Sequence, residues 1–355
     1  MRVTFDWPGV TASFRVEGNA SVVKVLINDT TVAGTRFAVY LGSPGMGQHH
    51  LQTFLTQRGI ISYPLLSGDV LQAQELAFPF KATLSLVHTQ ESRYLAETAA
   101  GDNVTVVGFA TDGFLARPPP APRKLEFIGD SITAGYGAEL AAPCQPSVLT
   151  NNHALTWAHL LCQDFGAECF VEAYSGIGVV FSYPDPASPP LTMPERYHDT
   201  LASNHQKGEG GHPWVVDVDA FRPDGFLVNL GTNDFCCGGA KNASFVQAYE
   251  DMYVKFVMEV VQSYAVPSAT EGNGKEEEKK EGEARMRRRV QVKEVMAGLS
   301  VVREEDEMLP PGAALRGSPS SSPPAPSYPN EAANQQVAKQ ALPVLVKVMG
   351  WETDK

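Results

Sequence analysis

The chain predicts a β-sandwich followed by an α/β domain built on a parallel sheet. Three observations carry this. Hydrophobic residues alternate with period two through residues 1–116, a proline-dense run occupies 117–123, and from Lys124 short apolar runs alternate with helix-period segments. In the first part Val10, Ala12, Phe14 and Val16 alternate with other residues, as do Val23, Val25 and Ile27, and later Leu84, Leu86 and His88. Gly, Asn and Asp turns recur about every 8–12 residues, which is the spacing of all-β proteins. No helix-period stretch is expected within 1–116, and no solenoid repeat is visible. Pro118, Pro119, Pro120 and Pro122 make an extended, stiff linker. The expected organisation is therefore a β-sandwich domain over 1–116, a linker over 117–123 and a second domain over 124–355.

Within the second domain, residues 125–128, 169–173 and 226–230 read as strands. Trp157, Leu160, Leu161 and Phe165 mark a helix face between the first two. Phe245, Tyr249, Met252, Phe256, Val260 and Tyr264 mark another, with Asn242 and Ser244 as cap residues in front. Ala333, Val337, Ala341, Leu345 and Val348 mark a closing helix ended by Gly350 and Trp351. Alternating β and α units favour a parallel sheet with helices on both faces.

Each strand ends in a polar turn containing glycine. Gly129, Asp130 and Ser131 follow the first, Ser175, Gly176 and Gly178 the second, and Gly231, Thr232, Asn233 and Asp234 the third. Ligands in open α/β sheets bind at the carboxyl ends of the strands. A serine set in a sharp turn after a strand offers a hydroxyl nucleophile, as in the related elbow of other hydrolases. Gly-Asp-Ser alone is equally an ordinary Asp/Ser turn. Three such turns in one sheet are more informative, because acyl transfer needs a nucleophile and donors aimed at one oxyanion. Ser131, the Gly176 N–H and the Asn233 amide are the candidates.

The stretches 126–137, 173–178 and 229–234 resemble the signature of the SGNH (GDSL) hydrolases, and in particular carbohydrate esterase family 2. The resemblance covers most of residues 1–265 and the last twenty-odd residues. It implies an N-terminal jelly-roll domain, a flavodoxin-like three-layer catalytic domain, and removal of acetyl groups from poly- or oligosaccharides. It makes Ser131 the nucleophile and Gly176 and Asn233 the oxyanion donors together with the Ser131 N–H. Gly129, Asp130 and Asp234 would support the turns. No cofactor and no metal are implied, and no Cys-x-x-Cys or His cluster has metal-ligand spacing.

One element of the pattern is missing. The family places the histidine that takes the serine proton just before the last helix, in an Asp-x-x-His-Pro or similar context. Tyr328 stands there, followed by Pro329 and Asn330, and no histidine follows His212. Loss of the base removes a factor on the order of 10⁶ in turnover, whereas oxyanion donors alone leave roughly 10³ over water. Three readings compete. The interrupted stretch 267–326 is retained intron or altered frame, the chain is an inactive glycan-binding relative, or another histidine substitutes, with His212, His153 and His198 as candidates.

Composition sets outer bounds. The chain has 355 residues, 43% hydrophobic, with a formal net charge of -12. That charge disfavours nucleic acid as a partner, and no apolar run reaches the roughly 18–20 residues of a membrane span. The start of the chain shows no charged-then-apolar leader, although the resembled family is usually exported; the compartment stays open. Sequons occur at Asn19, Asn28, Asn103 and Asn242. The five cysteines are Cys144, Cys162, Cys169, Cys236 and Cys237, an odd number that leaves at least one without an intrachain partner. A disulfide from Cys236 or Cys237 to Cys144 is one option. His49 and His50 are expected to be solvated in a Gly-rich loop. The acidic, basic and Ser/Pro tracts of 267–326 predict a disordered insertion.

Overall fold

The computed structural model describes residues 2–18, 20–42, 48–73, 80–91, 103–139, 150–183, 191–203, 221–235, 242–264 and 330–349. The first part contains β1 (Val3–Phe5), β2 (Thr11–Gly18), β3 (Val23–Asp29), β4 (Arg36–Gly42), β5 (Gln48–Leu55) and β6 (Gly59–Leu66). A short helix α1 (Gly68–Ala73) follows, then β7 (Phe80–His88), β8 (Val104–Thr111) and β9 (Phe114–Ala116). The strands form a four-stranded sheet, β1-β8-β3-β6, and a five-stranded sheet, β5-β4-β7-β2-β9. Their pairings are antiparallel.

Side chains from both sheets share one core. Val23, Val25, Ile27, Leu65, Leu66 and Val104 come from the four-stranded sheet, and Phe14, Val16, Val39, Leu41, Leu84 and Leu86 from the other. Strand side chains alternate between faces, so the period-two pattern becomes alternating burial in β3. In β4 the second face is buried too. Ala38 and Tyr40, with Val87 of β7, form a separate cluster with Ala154 of the α/β part. That face is covered by the rest of the chain, which makes β4 apolar almost throughout.

Two expectations for this region need correction. The stretch without helices contains α1, one and a half turns that open on Gly68 and carry Asp69 in the first turn. Six residues are too few to show a helical period. His49 and His50 are exposed as expected, but they lie in β5, paired with Leu41 and Tyr40 of β4. The neighbouring glycines suggested a loop, and ladder pairing overrode that local signal.

Residues 117–123 carry no helix or strand. The α/β part then runs β10 (Lys124–Gly129), α2 (Ser131–Ala134), a 3₁₀ turn (His153–Leu155), α3 (Trp157–Phe165), β11 (Glu168–Ala173), α4 (Met193–Arg196), β12 (Gly225–Asn229), α5 (Thr232–Phe235), α6 (Ala243–Ser263) and α7 (Glu331–Met349). The three strands are parallel in the order β11-β10-β12. Phe127 and Leu125 face α3 and α7, packing with Trp157, Leu161, Phe165, Ala338, Ala341 and Leu345. Ile128 points the other way, to Tyr253, Phe256, Val257 and Val260 of α6. A parallel sheet is thus buried on both faces, which is why its strands read as continuous apolar runs.

The caps match their residue types. Thr156 accepts from the His159 N–H at the start of α3. Gly166, at φ 56°, ends it in the left-handed region. Asn242 accepts from the Phe245 N–H at 3.0 Å to open α6. The Gly166 turn also brings Cys162 and Cys169 to a Cα separation of 6.2 Å, and these two form a disulfide. Cys144, Cys236 and Cys237 lie outside the described residues, as do 267–326, Tyr328, Gly350 and Trp351. Among the described residues no helix is long and apolar enough to cross a membrane.

Candidate active site

The sheet register places the three candidate turns side by side. Gly129 lies opposite Ala173 on one flank and Asn229 on the other. Ser131, Gly176 and Asn233 follow these aligned positions by a few residues each. All three therefore stand at the carboxyl end of the same three strands, where a parallel sheet leaves its crevice.

The Ser131 turn is built by its neighbours. Asp130 is extended and caps α2, its carboxylate accepting from the Ile132 N–H at 3.0 Å. The Ser131 carbonyl accepts from the Gly135 and Tyr136 N–H groups, both at 3.0 Å. Gly135 adopts φ 94°, and a Cβ there would meet the Asn152 carbonyl carbon and oxygen at 2.6 Å. Gly129 has a similar constraint, because a Cβ would lie 2.1 Å from Thr133 Oγ1. Glycine before the Asp-Ser pair thus lets α2 fold back against the end of β10. Ser131 is only 7% exposed, so its turn is recessed rather than raised into solvent.

The second and third turns are tied together. Gly176 has φ 86°, a backbone conformation suited to glycine. Its carbonyl accepts from the Tyr183 N–H at 2.7 Å. The Asn233 amide, on α5, donates to the Ile177 carbonyl at 2.7 Å. Asp234 is fully buried and accepts the Val179, Val180 and Phe181 N–H groups at 2.7 to 2.9 Å. This carboxylate collects successive backbone donors and so fixes the loop after β11 to the loop after β12. Gly178 leaves room for it, since a Cβ there would stand 2.6 Å from Asp234 Oδ2.

Among the described residues, the two candidate substitutes His153 and His198 are engaged with other groups. His153 is buried, not a surface residue, with Nδ1 on the Thr133 carbonyl at 3.0 Å. Burial, with His159 nearby, pushes its pKa down to about 3. It is a neutral support beneath the Ser131 helix. His198 bonds Glu259 of α6 at 3.1 Å and stacks edge-on against Tyr197, on the α6 face of the sheet. His212 and Tyr328 lie outside the described residues. The start of α7 is anchored close by in sequence: Asn330 accepts from the Ala333 N–H at 3.0 Å, and Asn334 accepts from the Trp157 N–H at 3.2 Å.

One residue near these turns has no local motif. Glu91, just beyond β7, is fully buried and accepts from the Ser175 N–H at 2.6 Å and from the Asn151 side-chain amide at 3.1 Å. A carboxylate at the end of a β-strand carries no sequence signal for this; only the packing of the β part on the α/β part shows it. Among the described residues no group of three or more His, Cys, Asp or Glu side chains is arranged to hold a metal ion.

Comparison with known proteins agrees with this architecture. The GDSL-like Lipase/Acylhydrolase family matches residues 127–340, and the chain belongs to that family. Among curated relatives, the cellulase/esterase CelE of Acetivibrio thermocellus is 36% identical over 157 residues, covering 44% of this chain and 18% of that protein. An acetylxylan esterase / glucomannan deacetylase of Cellvibrio japonicus is 29% identical over 195 residues, 52% of this chain and 51% of its own length. The chain thus spans about half or less of these two relatives. Among solved structures, a family two carbohydrate esterase from Clostridium thermocellum in complex with cellohexaose superposes with a TM-score of 0.65 at 21% identity, covering 98% of this chain and 95% of that one. An acetyl xylan esterase from Butyrivibrio proteoclasticus gives a TM-score of 0.65 at 18% identity, covering 98% and 92%.

Proposed function

We propose that this protein is a serine esterase of the SGNH class that removes small acyl groups, acetyl above all, from carbohydrates. Ser131 is the nucleophile in this reading, and the N–H groups of Ser131 and Gly176 with the Asn233 amide form the oxyanion hole. Gly129, Asp130 and Asp234 hold the turns. The observation that carries the reading is the sheet register that sets the three turns at one end of β10, β11 and β12, with Asn233 bonded to the Ile177 carbonyl beside Gly176. The curated relatives, one named a cellulase/esterase and another an acetylxylan esterase / glucomannan deacetylase, support an acetylated oligo- or polysaccharide as substrate. The same reading assigns residues 1–116 to a jelly-roll domain, 117–123 to a linker and 124–355 to a flavodoxin-like hydrolase domain interrupted by 267–326.

In the chemistry, the Ser131 oxygen attacks the acetyl carbonyl, its proton passes through a proton acceptor to the departing sugar oxygen, and the sugar leaves as an alcohol. Water then attacks the acetyl-serine, returns a proton to the Ser131 oxygen and releases acetate. The oxyanion donors favour the charge that develops on the carbonyl oxygen in both steps. No cofactor enters. Tyr328, at the position of the proton acceptor, favours a second reading: a glycan-binding relative without useful turnover. One experiment separates the two. Hydrolysis of 4-nitrophenyl acetate and of acetylated xylan is measured for the full chain and for Ser131→Ala, alongside calorimetric binding of cellohexaose. Hydrolysis abolished by Ser131→Ala establishes the esterase. Binding without hydrolysis above that variant establishes the glycan-binding relative.

A further inference from the structure

We propose that Glu91 is a positioning residue for the candidate oxyanion turn, supplied by the β part of the chain to the α/β part. This deepens the esterase reading and rests on it.

The segment that leaves β7 runs straight into the junction. Thr89, Gln90 and Glu91 are all fully buried. On one side the segment is pinned to β4: the Thr89 N–H donates to the Arg36 carbonyl at 3.1 Å, and Gln90 Oε1 accepts from the Arg36 N–H at 2.5 Å. On the other side the Thr89 carbonyl accepts from the His153 N–H at 2.8 Å. Glu91 stands at the end of this clamp, and its two oxygens reach two different loops. Oε2 takes the Ser175 N–H and Oε1 takes the Asn151 amide.

Both loops lead to the candidate site. Ser175 precedes Gly176, whose N–H is a proposed oxyanion donor. Among the described residues the buried Ser175 hydroxyl has no hydrogen-bond partner, so the backbone bond to Glu91 is what holds this residue. With the Tyr183 N–H on the Gly176 carbonyl, the peptide between Ser175 and Gly176 is held from both ends. Asn151 belongs to the stretch that supports the nucleophile. The Asn152 N–H donates to the Gly135 carbonyl at 2.9 Å, and His153 holds the Thr133 carbonyl. One carboxylate thus sets the Gly176 turn relative to the Ser131 turn. Misplacement of an oxyanion donor by about 1 Å is enough to lower turnover roughly 100-fold. Charge-assisted bonds to backbone N–H groups are about twice as strong as neutral ones, which suits a carboxylate to this task.

The test uses Glu91→Gln and a compensating double variant, Glu91→Gln with Asn151→Asp, in the full chain. Glutamine has one acceptor oxygen and presents an N–H₂ to a donor. In the double variant that N–H₂ meets an acceptor at 151, and the remaining oxygen still serves the Ser175 N–H. Amide hydrogen exchange over 174–177 and the steady-state kinetics of 4-nitrophenyl acetate hydrolysis are read together. Glu91→Gln is expected to speed exchange at 174–177 at least about tenfold, leaving β10 and α3 unchanged. It is expected to lower kcat about 10- to 100-fold with KM within about twofold, and the double variant restores both. Unchanged exchange at 174–177, equal loss of protection throughout the chain, a normal kcat despite faster exchange, or no recovery in the double variant each overturns the proposal. If the unmodified chain shows no Ser131-dependent hydrolysis, the esterase reading fails by itself. Exchange and its recovery then still decide whether Glu91 holds the turn.

Discussion

A phenol with an ordinary pKa near 10 is a poor proton acceptor for serine at neutral pH, and the proposed reading puts Tyr328 at the sequence position of the acceptor. His153, the histidine beneath the Ser131 helix, is engaged with the Thr133 carbonyl. Asp234 is committed as well, to three backbone N–H groups of the loop after β11. In the proposed reading the deficit is one residue, and it is testable by replacement. Tyr328→His is expected to raise Ser131-dependent hydrolysis of 4-nitrophenyl acetate by about 10²-fold, the lower end of what a general base contributes. The lower end applies because no carboxylate stands a few residues earlier to orient the imidazole. A folded variant with no gain would show that more than the base is absent. The motif residues at this scale were legible because glycine, aspartate and serine after an apolar run have specific backbone uses. Glu91 was not legible, because its partners Ser175 and Asn151 are distant in sequence and belong to no pattern with it.

At the scale of elements, α7 packs on the sheet, starting beside the first turn of α3 and ending beside Gly225 at the start of β12. Ala338, Ala341 and Leu345 pack it against the β10 face. Asn334, 1% exposed, bonds the Trp157 N–H at the first turn of α3 and, through its amide, the Asn330 carbonyl. The Trp157 N–H is one of the helix-start donors that no intrahelical carbonyl satisfies. Asn334→Ala leaves it buried and unpaired, so we expect a loss of about 1–3 kcal/mol of stability, read as a lower urea midpoint with an unchanged slope. A shift within about 0.5 kcal/mol, the size of an ordinary surface substitution, would mean that the pair contributes nothing. The helix itself was legible from Ala333, Val337, Ala341 and Leu345. Its docking partner was not, since the 3.6-residue period shows which side of a helix is apolar but not which element covers it.

At the scale of the whole molecule, buried titratable groups make stability depend on pH in two opposing ways. His88, His153 and His159 lie buried where the five-stranded sheet meets the α/β part, and desolvation lowers their pKa values to about 4, 3 and 4. The unfolded chain binds their protons first, at about 6.5. Their contribution is complete above that value and is lost as pH falls towards 4. Glu126 and Glu172 lie on neighbouring strands beneath Tyr197, whose hydroxyl donates to Glu126 at 2.8 Å, with Tyr264 alongside. Burial raises Glu126 to about 7, and Glu172 is raised as well, by burial and by Glu126. For these carboxyls the folded state holds its protons longer, so their contribution is complete at acid pH and is lost as pH rises, for Glu126 between about 4.5 and 7. Melting temperature across about pH 3 to 8 should therefore lose its acid slope in part in His159→Phe, and lose its fall from pH 4.5 to 7 in part in Glu126→Gln. Curves parallel to that of the unmodified chain in both variants would refute this assignment.

Periodicity, turn chemistry and the three glycine turns by themselves determined the order of β and α parts, the three parallel strands and the candidate residues Ser131, Gly176 and Asn233. These signals are local: a strand, a cap or a left-handed glycine is specified by residues next to each other in the chain. Only the tertiary structure decided what depends on residues far apart. It placed His153 under the Ser131 helix as a neutral support, and buried both faces of β4. It also brought Glu91 from the β part to the Ser175 N–H across 84 residues of sequence. Burial and hydrogen-bond partnership across such separations are properties of packing, and no single stretch of sequence encodes them.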